Sequence, residues 1–468
     1  MIVRIAQKEF REILREGRFR VAALLTLALL VVAMVASRAY YLSVNEQHEQ
    51  ARQNERNVWV SQDAKNPHSA AHYGTYAFKP KYPLSLLDQG VDKYAGISIF
   101  LEAHARNEAQ YMAAQDQTGL SRFGDLTPDF ILLFIIPLLI ILLAFNAFTR
   151  EREQGTLSLL KSQGVPTTQL ALGKWLGAYL PVSLITVLMF ALASILLATL
   201  SDFGRFEPSA LLLLLVVYLV YYAIFTNLTL MVSALAKNSG VALVLMLAVW
   251  ILSCLAMPKL ASNLADGFYP YPTRQAFEAA IKDDKQVGLS GHDPWSEAAK
   301  KLETETLAQY GVDSVQQLPF NFDGYLMQKG EEHEAEIYFK HYESLREQFN
   351  HQSRIYRRSA LLSPFLPARF LSMALANTDY ESHWKFSDAA EKYRLQMMEA
   401  LNVHFAENTK YGDWAYKAEP ALWKSVPEFN YTPPSTSDIL KQNSSNLLAL
   451  LTWLAVSFLG LLVAVRRI

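Results

Sequence analysis

The sequence predicts an α-helical polytopic membrane protein with six membrane-crossing helices and two extracytoplasmic domains, the first small and mixed α/β, the second mainly α-helical. Three observations predict this. The 468-residue chain is 51% hydrophobic and 19% charged, short of the ~25% charge of a soluble domain. The charge is segregated, dense in 45–66 and 282–358 and missing from several long stretches. Lys and Arg gather beside alternate ends of those stretches, as they do in cytoplasmic loops. The net charge of −1 offers no basic surface for nucleic acid. The lone cysteine, Cys254, allows no intrachain disulfide. A disulfide scaffold, a disordered chain and a single-domain soluble enzyme are excluded.

Residues 1–20 come first. Ile2, Ile5, Phe10, Ile13 and Leu14 alternate with basic residues at roughly helical spacing, which predicts an amphipathic helix in the cytoplasmic interface. A bilayer core of ~30 Å needs about 20 apolar residues per helix. Six segments meet or approach that length: 21–36, 130–148, 175–200, 209–235, 241–257 and 447–465. The first has the flanks of a signal peptide, but Ser37-Arg38 is a poor cleavage context, so an uncleaved anchor spanning 21–40 is expected. Arg4, Lys8, Arg11, Arg15, Arg18 and Arg20 precede it. Arg150, Arg152, Lys161 and Lys174 follow the second span, Lys237 the fourth, and Arg466 and Arg467 the sixth. The loop after the third span carries only Arg205, beside Asp202 and Glu207. Both termini are therefore expected in the cytoplasm, with spans two to five in 128–257, a cytoplasmic loop at 149–174, and the sixth span with its basic end in 447–468.

This topology places 41–127 and 258–446 outside. The first begins as a polar helix, and 72–78 alternates well enough for a strand. In the second, Tyr338, Tyr342, Leu345, Phe349 and Tyr356 form a helical seam with a polar gap at Gln352. Tyr393, Met397, Ala400 and His404 continue the spacing beyond Pro364 and Pro367, predicting a long antiparallel helical pair. Such an aromatic stripe is more often core than ligand site.

Tests for chemistry are mostly negative. No Gly-x-x-x-x-Gly-Lys-Ser/Thr string occurs, so the chain has no phosphate-cradling loop of that kind. The run from His333 begins like a zinc-protease helix, but Ile337 stands where the second histidine belongs. All ten histidines lie in the outer segments; chance placement accounts for that, and no metal or cofactor site is expected. No Gly-x-Ser-x-Gly elbow is present. The spans lack ionisable residues in their central turns, which argues against an ion-coupled transporter. On the fourth span Tyr218, Tyr222, Thr226, Thr229 and Ser233 share one face. Hydrogen bonding between helices explains that face more simply than contact with a substrate.

The most specific signal follows the second span. Glu151, Arg152 and Glu153 make a charged turn, Gly155, Thr156, Leu157, Leu159 and Leu160 open a short amphipathic helix, and Gly173-Lys174 leads into the third span. Physically, such a helix offers leucines to a partner and carboxylates to basic groups.

This order of motifs resembles the coupling region of type-2 ABC exporter permeases, and the six spans and the preceding interfacial helix fit the same architecture. Asn66-Pro67-His68, 74–78, 101–104, 318–324, Ser363-Pro364, Phe386 and Tyr393-Arg394 resemble a bacterial subfamily with an uncharacterised periplasmic domain inserted between the last two spans. The resemblance implies a permease of the bacterial inner membrane that pairs with a second permease copy or a related permease. It also implies two copies of a cytoplasmic ATP-binding subunit, which would hold ATP and Mg, so the chain itself would be no enzyme. Glu151 to Leu160 with Gly173 and Lys174 would then be the ATPase-coupling contact. Export of a substrate is the function expected. The alternatives are mechanical transmission to a periplasmic partner, and a scaffold or receptor without an ATPase.

Overall fold

The computed structural model describes residues 1–112, 126–200 and 208–468. Arg205, Asp202 and Glu207 lie outside the described residues, as does part of the first outer segment. Among the described residues, six helices are long and apolar enough to cross a membrane: Gly17–Val60, Pro128–Glu153, Thr167–Ala198, Pro208–Leu235, Ser239–Phe268 and Ser444–Val465. A separate helix, Ile2–Arg15, lies against the third of these. The fourth span is central, packing against the second, third and sixth. The first helix has 44 residues, about 66 Å at ~1.5 Å per residue, roughly twice a hydrocarbon core. It therefore carries the chain well beyond the apolar band before it turns. One end of the bundle gathers Ile2–Arg15, the loop after the second span and the carboxyl end, and is called the terminal face below; the two long inserts lie at the other, distal face.

In the first insert, Asn66 caps the helix Pro67–Tyr73 by accepting from the His68 N–H at 2.9 Å. Strands β1 (Thr75–Phe78), β2 (Ser98–Glu102) and β3 (Ala105–Arg106) form an antiparallel sheet in the order β1-β2-β3. The strand expected at 72–78 is thus shorter, because the capped helix takes His72 and Tyr73. In the second insert the helices Phe322–Ser359 and Tyr380–Asn408 pack along each other. Arg346 reaches Glu381 at 3.2 Å and Asp388 at 3.1 Å, while Gln328 meets Asn402 at 3.2 Å, so the pair is antiparallel. The aromatic seam is core: Tyr342 and Trp384 are buried together and Phe349 lies 4.2 Å from Tyr380. Its polar gap has a use, since Gln352 donates to the Tyr269 carbonyl at 2.8 Å, just past the fifth span.

The first insert closes its core only against the second. Trp59, Ala77, Ile99 and Leu101 from the first bury against Phe386, Met398, Leu401 and Trp423 from the second. With a third strand of only two residues, this sheet is little more than a hairpin and needs a packed layer for stability. Here the Tyr380–Asn408 helix supplies the missing layer.

Candidate functional site

The loop after the second span is rooted by its own charges. The Lys174 side chain is 2% exposed and lies 2.8 Å from Glu151 and 2.9 Å from Glu9. A buried cation between two carboxylates ties the loop to the third span and to Ile2–Arg15. Close approach of that helix is possible because the facing residues are Gly173 and Gly177. A Cβ on Gly173 would fall 2.5 Å from Ile5, and one on Gly177 would fall 2.4 Å from Glu9. Arg152 donates to the carbonyls of Ala234, at 2.7 Å, and Ala236, which end the fourth span without helical partners. Glu153 accepts from the Ser239 N–H at 2.7 Å and its hydroxyl at 3.0 Å, at the start of the fifth span. A cation therefore meets a helix C-terminus and an anion the next N-terminus, each where the macrodipole favours it.

These contacts correct the sequence reading. Glu151 and Glu153 were expected to face basic groups of a partner, but both are committed inside the chain. Leu157 was expected outside and is 5% exposed, packed into the bundle. Gly155 at φ +72° turns the chain, and the helix Thr156–Ser162 then stands out on the terminal face. Thr156 caps back to the Glu151 carbonyl at 3.2 Å. Leu160 is half-buried, Lys161 bonds the Ile468 carbonyl, and Leu159 is 57% exposed. Of the three leucines, Leu159 is the one presented to solvent.

The polar face of the fourth span is fully buried. Thr226 and Thr229 bond the carbonyls of Tyr222 and Phe225 in their own helix, and Ser233 accepts from the Phe148 N–H at 3.0 Å. The tyrosines do something the sequence did not suggest. The second span contains a π-helical turn at Ile131–Ile135, where the Ile136 N–H bonds Ile131 rather than Leu132. Pro137 then has no N–H for the Leu133 carbonyl. Both orphaned carbonyls are satisfied by hydroxyls: Tyr222 donates to Leu132 at 2.9 Å and the neighbouring Tyr221 to Leu133 at 3.1 Å. The fifth span repeats the device. A π turn at Ile251–Ala256 sends the Met257 N–H to Leu252, and Ser363 of the second insert donates to the Ser253 carbonyl at 2.8 Å.

Tyr218 continues this face to the distal side. Its hydroxyl lies 2.8 Å from Ser372 in the helix Phe365–Leu375, and Ser372 donates to Asp88 of the first insert at 2.5 Å. Arg369 bridges Asp88, at 3.0 Å, and Asp129 at the head of the second span, at 2.6 Å. Burial pushes the Asp88 carboxyl up to about 6, against the pull of Arg369. Two inserts and two spans thus meet in one buried polar network. No sequence signal linked these residues, which are up to 284 positions apart. The four-residue spacing of Gly173 and Gly177, a small-residue pattern that permits close helix packing, went unread in the sequence.

Comparison with known proteins agrees with this architecture. Residues 34–264 match the ABC-2 family transporter protein family. Residues 274–432 match a second family, described as a domain of unknown function (DUF3526). The chain is thus a multi-pass membrane protein whose membrane-spanning part is similar to the ABC-2 family transporter proteins. A stretch of 101 residues is 38% identical to a probable ABC transporter permease protein NosY of Pseudomonas aeruginosa. That stretch is 19% of this chain and spans 37% of the relative's length.

Proposed function

We propose that this permease couples ATP hydrolysis by a separate cytoplasmic ATP-binding subunit to export of a substrate across the bacterial inner membrane. Two ATP-binding subunits and a second permease copy complete the transporter, and both termini face the cytoplasm. ATP and Mg sit on the partner, and the chain alone hydrolyses no ATP. The observation that carries this reading is Leu159, a large apolar side chain held out on a short helix whose root is clamped to the interfacial helix and to the third, fourth and fifth spans. A push on Thr156–Ser162 reaches four helices at once, because the clamp consists of buried ion pairs and capped helix ends.

A second reading has its own support. The first helix runs unbroken into the first insert, and the fifth span is tied to the long helical pair through Gln352. Rigid elements of this kind suit mechanical transmission to a periplasmic partner, with no cargo crossing the bilayer.

The test is co-expression with a candidate ATP-binding subunit. Leu159→Asp should leave insertion and folding unchanged while abolishing subunit binding and permease-stimulated ATPase activity. Full stimulation by that variant would place the coupling contact elsewhere. ATP turnover by the permease free of any other polypeptide would overturn the assignment outright. Cargo crosslinked to the apolar faces of the spans would separate export from mechanical transmission.

A further inference from the structure

Four of the ten histidines converge at the distal face. His68 and His72 are one turn apart on Pro67–Tyr73 and so share a side of that helix. His104 sits in the two-residue turn between β2 and β3, and His292 comes from the second insert. One ring nitrogen from each lies within 4.8 Å of the other three. The Nε2 atoms of His68 and His72 are 3.1 Å apart, and those of His104 and His292 are 2.9 Å apart. Four nitrogens bound tetrahedrally at about 2.0–2.1 Å from a zinc ion would stand about 3.3 Å from one another. The cluster is thus already near the dimensions of a coordination sphere.

The surroundings hold the rings in ligating form. His104 has φ +65°, a backbone conformation that a non-glycine residue adopts only when its neighbours impose it. Here Glu331 accepts from the His104 N–H at 3.0 Å, and its carboxylate also lies 3.2 Å from Nδ1, with Glu334 at 3.5 Å. Carboxylates this close to Nδ1 favour the tautomer that carries its proton there, which leaves the Nε2 lone pair for a metal. Lys285 binds Glu334 at 2.9 Å and the His104 carbonyl at 2.8 Å, and Arg394 pairs with Glu331, so the second layer is itself fixed. The His292 loop is pressed onto the Phe322–Ser359 helix, where a Cβ on Gly330 would fall 2.3 Å from the Gly291 nitrogen.

We propose that His68, His72, His104 and His292 form a four-imidazole site for a divalent first-row transition-metal ion of the zinc or copper(II) class. Imidazole nitrogen selects these ions over magnesium or calcium, which want oxygen. Three ligands come from the first insert and one from the second, so the ion also fastens the two inserts together.

The test uses the full chain in detergent, purified without a polyhistidine tag and stripped with chelator. Zinc titration followed by elemental analysis should give one tightly held ion per chain, and cobalt(II) should give the intense visible bands of a tetrahedral centre. His72→Ala and His292→Ala remove exposed rings and should preserve the fold by circular dichroism while eliminating both signals. Glu334→Gln, which alters only the layer behind His104, should weaken zinc binding 10–100-fold. His404→Ala, at a histidine outside the cluster, should change nothing. No stoichiometric ion, or an ion retained by both His72→Ala and His292→Ala, would overturn the proposal.

Discussion

Lys174 is a cation shut between two carboxylates, and its worth lies in what its removal leaves behind. Lys174→Met would strand Glu9 and Glu151 against each other in a buried site, a change that typically costs about 3–5 kcal/mol. The expected outcome is a large drop in the thermal midpoint of the detergent-solubilised chain, with Ile2–Arg15 becoming accessible to protease. Arg150 and Glu12, exposed and 3.3 Å apart, should contribute only ~0–1 kcal/mol. Asp88 behaves differently with pH. Its carboxyl binds a proton more tightly folded, at about 6, than at its ordinary 3.8. This contribution to stability is therefore full below about 4, declines as pH rises through about 6, and is flat above that. Thermal unfolding of the wild type and Asp88→Asn from pH 4 to 7 should show the slope reduced in the variant. Parallel curves would mean that Asp88 does not titrate in this window.

At the scale of elements, the breaks in helical hydrogen bonding within the second and fifth spans have chemical causes. Pro137 and Pro258 each remove a donor and a π turn displaces another, and hydroxyls on neighbouring elements reach the carbonyls of Leu132, Leu133 and Ser253. Tyr222→Phe and Tyr221→Phe should each cost about 1–3 kcal/mol, the penalty of a buried acceptor without a donor. That exceeds the ~0.6 kcal/mol typical of an interhelical hydrogen bond in a membrane. Unfolding in graded denaturing detergent would measure it, with the double variant less stable than either single. The same logic makes Arg152 and Glu153 structural. Reversing Glu151 and Glu153 together would damage the bundle as well as any partner contact, so Leu159 is the cleaner probe of coupling.

The whole molecule is a helical bundle whose two inserts meet over a shared core and a shared polar network. The distribution of Lys and Arg makes its orientation testable. Cysteine placed at His351 should react with a membrane-impermeant reagent from the periplasmic side, and cysteine at Gln163 only from the cytoplasmic side. Cys254 is buried and should stay silent in both. The reverse pattern would invert the proposed topology. Removing metal from the histidine cluster should also lower the thermal midpoint of the wild type and leave His292→Ala unaffected, since the proposed ion would join the two inserts.

The residues themselves determined the six spans, the loop after the second span and the long helical pair. Each depends on local periodicity or on the length of an apolar run, which the bilayer and the α-helix impose on neighbouring positions. The aromatic seam from Tyr338 to Tyr356 was readable as core for the same reason. Tertiary structure alone decided which side each charged or polar residue faces. Glu151 and Glu153 looked like partner contacts because their neighbours in sequence are polar, yet their counter-charges and helix ends lie 23 and 86 residues away. Asp88 met Ser372, and His104 met His292, only once the two inserts had packed on each other. Hydrogen bonds and coordination act over about 3 Å, and no pattern of spacing along a chain specifies which distant segments come within that reach.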